Sequence, residues 1–147
     1  MDINTQYFGT ISCSEEELIY FPDGLFGFPN LKYYIPLAFQ KDSDALICLQ
    51  STESKRVSFI IMNPFLLYAD YAPALSPEDK KLLNCSDEDT VSYYVICVIH
   101  DSMDQSTVNL KSPIAVNTEN RQARQIILDN PLYKFRHPIG DFVKKGD

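Results

Sequence analysis

Apolar residues recur along this chain in short runs, and the runs have the period and length of strands rather than of helices. Candidate strands are Ile3–Ile11, Leu18–Phe21, Tyr33–Leu37, Ala45–Gln50, Val57–Met62, Val91–Ile99, Val108–Leu110, Ile114–Asn117 and Arg124–Leu128. They are rich in Val, Ile, Tyr and Phe and are bounded by Pro, Gly, Asn, Asp or Ser, the composition of pleated segments that end in turns. Two hairpins are visible. Thr52–Arg56 joins "ALICLQS" to "VSFIIM", and Thr118–Arg121 joins "SPIAVN" to "ARQIIL". The run "VSYYVICVI", Val91–Ile99, is apolar on both faces. A strand with one wet face alternates polar and apolar residues. This one is therefore predicted to be covered on both sides, by a closed barrel plus an outer layer or by a partner.

Helical signals are few. Ser76-Pro77-Glu78-Asp79-Lys80-Lys81-Leu82-Leu83 reads as about two turns, with Ser76 as N-cap, Pro77 at the first helical position and Asp79 at the offset of a capping box. A second brief turn is predicted from Ser14, with Glu17 at the same offset. The pattern as a whole predicts an all-β protein, a small antiparallel β-barrel-like domain with one or two short helices.

Composition narrows the function. A chain of 147 residues with 45% hydrophobic and 22% charged residues can bury a core without a metal or disulfide staple. Its formal charge of −7 disfavours nucleic acid, whose binding needs clustered Lys and Arg, and permits a basic protein partner. Cys13, Cys48, Cys85 and Cys97 are widely spaced, which argues against a zinc site; Cys48 and Cys97 read as buried small hydrophobes. No basic segment followed by an apolar stretch opens the chain, and no run approaches the roughly 20 residues of a membrane span. The chain is expected in the cytoplasm, with reduced thiols.

Catalytic signatures are missing. There is no G-x-S-x-G, G-x-x-x-x-G-K-[ST], G-x-G-x-x-G or H-E-x-x-H motif, and His100 and His137 are the only histidines. No catalytic, cofactor-binding or metal residue is assigned, and no cofactor is expected. Three segments carry other chemistry. "FPDGLFGF", Phe21–Phe28, holds a Pro-Asp-Gly turn among aromatics that either cap a barrel end or offer Leu25 and Phe26 to a partner. "MNPFLLYADYAP", Met62–Pro73, crowds Phe65, Leu66, Leu67, Tyr68 and Tyr71 into a non-strand segment that must fold onto the core or meet another protein. "LDNPLYKFRHP", Leu128–Pro138, is expected to be a polar clasp over the last strand, with Arg136 pairing to Asp129 or another acid, or else a docking edge.

Together these segments resemble the FliW family of flagellar assembly factors. The carriers are "FPDGLFGF", the Asn63-Pro64-Phe65 step with Asp70-Tyr71 after it, and "TVNLKSPIAVN" leading into "RQIILDNPLYKFRHP". Asp23 stands where the family often has Glu, and Ser112 where it often has Ala. The match runs from Tyr7–Gly9 to Arg136–Pro138; 1–138 is taken as a single β-barrel domain, with 139–147 as a tail that is a candidate for disorder. The resemblance implies a barrel-like fold, no enzymatic activity and two competing partners. One is flagellin, held before export. The other is CsrA, a small basic RNA-binding translational repressor that the free protein binds and antagonises allosterically. No direct nucleic-acid or membrane contact is implied. Expected partner-binding residues are the anchors Phe65, Leu67, Tyr71 and Tyr133, the acids Asp70, Asp87, Glu88 and Asp89, and Arg136. The alternatives are a flagellin export chaperone with no translational role, and a small barrel enzyme or ligand binder using Arg136 and His137.

Overall fold

The computed structural model describes residues 1–142. The strands are β1 (Asp2–Asn4), β2 (Thr10–Ser12), β3 (Ile19–Tyr20), β4 (Tyr33–Ala38), β5 (Ile47–Ser51), β6 (Ser58–Met62), β7 (Val91–Val98), β8 (Thr107–Val108), β9 (Ile114–Asn117), β10 (Gln122–Gln125) and β11 (His137–Pro138). Strands β1 and β2 make a small hairpin, and the other nine form one sheet. Its hydrogen bonds close a ring that runs β7-β6-β5-β4-β3-β10-β9 and back to β7, with β8 and β11 as a spur. All pairings are antiparallel except β3 with β10, which is parallel and rests on one register pair, Tyr20 opposite Gln122.

β7 makes this closure possible by changing neighbours along its length. Val91–Tyr94 pair with β9, Val95–Cys97 with β6, and Cys97–Val98 with β8. Its side chains alternate between two cores. Tyr94 and Ile96 face the ring interior with Phe21, Leu49, Ile61 and Ile114. Val91, Tyr93, Val95 and Cys97 face an outer cluster with Tyr71, Leu110 and Ile139. The two-faced apolar pattern is thus answered by a ring with an outer layer. That layer is made by the chain's own segments after β6 and after β10.

The one α-helix among the described residues, α1 (Pro77–Leu82), starts where the capping signal placed it. Ser76 Oγ accepts from Asp79 N at 3.1 Å, and Asn84 takes a left-handed φ of 52° just past the end. The Ser14 signal gives a 3-10 turn, Glu15–Glu17, with Ser14 N donating to Glu17 Oε2 at 2.9 Å. All four cysteines are buried free thiols. Burial pushes the Cys97 thiol up to about 12, so it is a packed apolar group and not a nucleophile.

Several expected strands change shape. Ile3–Ile11 is two strands, because Gly9 turns the chain with φ 67° and Thr5 Oγ1 donates to Gly9 O at 2.6 Å. The strand expected over Arg124–Leu128 is β10, Gln122–Gln125, started two residues earlier by the left-handed Arg121. Beyond it, Ile126 N donates to Pro113 O at 3.0 Å, but Pro113 has no N–H to return a bond, so the ladder lapses. The strand expected over Val108–Leu110 is Thr107–Val108, since Leu110 N leaves the sheet to bond Lys134 O. Part of the segment expected as a tail is described. Ile139–Phe142 form a 3-10 turn with Ile139 in the outer cluster, and residues 143–147 lie outside the described residues.

Candidate partner-binding surface

After β6 the chain cannot continue as a strand, because Pro64 follows Asn63. Asn63 Oδ1 accepts from Phe65 N at 2.9 Å and starts a 3-10 turn, Pro64–Leu66. The turn buries Pro64 and lifts Phe65 and Leu66 to the surface at 40% and 62% exposure. Leu67 packs on the outer cluster, and Asp70 is exposed. Tyr71 turns inward: it is 3% exposed, and its hydroxyl donates to Leu110 O at 2.6 Å. Its ring meets Phe65 at 5.9 Å and the edge of Tyr133 at 4.8 Å. Tyr133 is also buried, and its hydroxyl accepts from Ala72 N at 2.9 Å.

The four expected anchors therefore separate. Phe65 offers contact area, Leu67 is half-buried beneath it, and Tyr71 and Tyr133 are core residues that fix the shelf from below. Burial pushes the Tyr71 phenol well above its usual value of 10.0, with smaller contributions from Tyr133 and Tyr93. A shallow groove of about 180 Å³ runs beside Phe65, lined by Asp44, Asn63 and Val91–Tyr94.

The acids precede β7, the strand that lines this groove. Asp87, Glu88 and Asp89 are all exposed. Asp87 Oδ1 accepts from Asp89 N at 2.9 Å and starts the 3-10 turn Glu88–Thr90 that leads into β7. Glu88 Oε1 accepts from Leu75 N at 3.1 Å and lies 3.8 Å from Lys80 Nζ. The Tyr93 phenol, on the groove wall, is pushed up to about 12, first by burial and then by the Glu88 carboxylate. Phe65 lines the groove with Tyr93 and Glu88 acts on the same phenol, although the two lie 23 positions apart in sequence (88 − 65).

Arg136 is exposed and makes no ion pair to the described residues, so the expected Arg136–Asp129 pairing does not form. The clasp exists, but other groups make it. Asn130 Oδ1 accepts from Leu132 N at 2.9 Å, Lys134 O accepts from Leu110 N and Lys111 N, and His137–Pro138 pair with β8. His137 Nε2 lies 3.3 Å from Asp141 Oδ2, and its ring packs 4.7 Å from Phe142. Held this way, His137 is a packing group, not the polar-cavity histidine an enzyme would need. No cluster of three His, Cys, Asp or Glu residues suited to a metal occurs among the described residues.

The "FPDGLFGF" segment divides as well. Phe21 and Leu25 are buried, whereas Phe26 is half exposed. Gly24 has φ 67°, and a Cβ there would lie 2.3 Å from Phe28 O. Asp23 and Asp79 both contact the Arg124 guanidinium, tying this turn and α1 to β10. Exposed apolar groups that the sequence reading passed over are Ile127, Leu132 and Phe135. Ile127 lines a second groove of about 330 Å³ with Ala72, Ala74 and Tyr133. Their one sequence signal was apolar residues flanking an Asp-Asn-Pro turn.

This is a small β protein whose closed ring of strands carries exposed apolar side chains and exposed acids. No helix among the described residues is long and apolar enough to cross a membrane. The family model described as FliW protein matches residues 2–139. The flagellar assembly factor FliW of Ruminiclostridium cellulolyticum is 35% identical over 147 residues, covering 100% of this chain and 99% of that protein. The factor of the same name from Bacillus subtilis is 34% identical over 140 residues, covering 95% of this chain and 97% of that one. A crystal structure of the flagellar assembly factor FliW superposes with a TM-score of 0.89 at 31% identity, covering 99% of both chains. The chain belongs to the FliW family, a family of flagellar assembly factors and not of enzymes.

Proposed function

We propose that this protein works in the cytoplasm as a partner switch. It holds flagellin before export and, when free of flagellin, binds CsrA and relieves its repression of flagellin translation. The observation that carries the reading is the apolar shelf of Phe65 and Leu66. It stands on a buried Tyr71–Tyr133 pair, and Asp70, Asp87, Glu88 and Asp89 are exposed on the same molecule. An exposed apolar shelf suits the apolar face of a helix that orders on binding, as flagellin termini do. The acids suit a basic partner by steering its approach. Arg136, exposed and unengaged by described residues, is free to make a polar contact with a partner.

Two partners with one scaffold give switching by mass action. Calorimetric titration against CsrA from the same organism, repeated after saturation with a flagellin C-terminal fragment, tests the reading. Loss of CsrA binding in the second titration is expected. Flagellin binding with no CsrA binding in either titration would overturn the switch and leave a dedicated export chaperone.

A further inference from the structure

The ring encloses space that packing leaves unfilled. A cavity of about 160 Å³ lies inside it, walled by Phe21, Ile47, Leu49, Ile61, Ile114 and Val116. Its mouth is formed by Pro36, Ser92, Thr118 and Arg121. A buried water needs two to four polar partners, and apart from the Tyr94 phenol these walls are hydrocarbon. An apolar cavity of roughly this size in another protein stays dry and takes up benzene or xenon. The mouth is polar and held in place. Arg121 Nε and Nη2 donate to Leu18 O and Glu17 O at 3.0 and 2.8 Å, and Thr118 Oγ1 donates to Thr90 O at 2.7 Å.

The mouth also lies at the least secured part of the ring. β3 is two residues long and meets β10 through one register pair. Beyond Tyr34, β4 has no neighbour on the β3 side, and Pro36 stands there without an N–H to offer one. An open groove of about 400 Å³ follows, and it shares Pro36 and Arg121 with the cavity mouth. A guest thus has an apolar chamber, a polar rim and an approach across the weakest seam.

We propose that the ring interior is a binding site for one small neutral apolar molecule about the size of a single aromatic ring. The site is separate from the Phe65 shelf, although Ser92 and Tyr94 of β7 line both the cavity and the groove beside Phe65.

The test is a benzene titration of the full-length protein carrying labelled Ile, Leu and Val methyls, followed by two-dimensional NMR. Expected are saturable shifts at Ile47, Leu49, Ile61, Ile114 and Val116, with Leu128 and Ile139 of the outer cluster unmoved. Benzoate, the same ring with a charge to desolvate, is expected to bind roughly ten-fold more weakly or less. Val116→Leu takes up part of the chamber and is expected to weaken benzene binding by about five-fold or more. If that variant fails to fold, the native titration decides alone. No saturable shift up to the solubility of benzene, or equal shifts in both clusters, overturns the proposal. No partner protein enters the experiment, so its result is independent of the switch reading.

Discussion

Tyr71→Phe separates shelf from support. The substitution removes one oxygen and leaves the ring in place against Phe65 and Tyr133. Leu110 is fully buried, and its carbonyl accepts the Tyr71 hydroxyl at 2.6 Å, so the carbonyl loses its side-chain donor. An orphaned buried acceptor costs about 1–3 kcal/mol, so a loss of about 2 kcal/mol is expected. For a chain of this size that is roughly a 4–8 °C drop in Tm. Urea unfolding followed by circular dichroism measures it, with an unchanged m-value showing that stability alone moved. Phe65→Ala in the same assay is expected to stay within about 1 kcal/mol, because its ring is already 40% exposed, while partner binding weakens by about 1–3 kcal/mol. A Tyr71→Phe protein as stable as the native one would refute the supporting role of the buried phenol. A Phe65→Ala protein with full partner affinity would remove Phe65 from the interface.

Gly24→Ala forces φ near +67° on a side chain and drives its Cβ into Phe28 O and the Pro29 backbone, so a loss of about 2–4 kcal/mol is expected in thermal unfolding. Arg136→Ala is expected to leave stability within about 0.5 kcal/mol, since the clasp is backbone-made; a large loss of Tm would show an engagement of the guanidinium that the geometry does not contain. Alkaline pH is expected to unfold the protein. Burial raises Tyr34 and Tyr93 to about 12 from a usual 10.0, and Cys97 to about 12 from 9.0. The fold therefore holds protons that the unfolded chain releases first, and stability falls as pH rises from about 9 through 12, by up to about 1.4 kcal/mol per pH unit for each group. Urea midpoints that stay flat between pH 8 and pH 11 would contradict this.

Local chemistry was readable where one residue decides the backbone. Ser76 with Pro77 placed α1, Gly24 and Arg121 lie in the turns expected of their segments, and the two-faced apolarity of Val91–Ile99 revealed a layer outside a closed sheet. Which strands close the ring was not readable. β3 is only two residues long and its parallel partner is a hundred residues away, so no periodicity records their meeting. The candidate surface was half readable for a related reason. Phe65 and Tyr71 belong to one apolar non-strand segment, and composition does not say which ring points inward. The Leu110 carbonyl decides that, and it comes from a distant loop. The expected Arg136–Asp129 pair failed because Arg and Asp in one short segment suggest a bond that needs facing geometry as well as proximity.

The seam between β3 and β10 also sets a timetable. Tyr20 and its partner Gln122 are 102 positions apart (122 − 20), and the last edge of the ring cannot exist before the second of them is made. At about 5–20 residues per second, a ribosome needs roughly 5–20 s to supply that stretch. Once Met62 has been made, the strands β3 to β6 are present for the rest of that interval without the β9 and β10 that cover their interior face in the folded ring. Folding of this chain is therefore a late, end-loaded event: the nascent protein becomes binding-competent only after almost its whole length has left the ribosome.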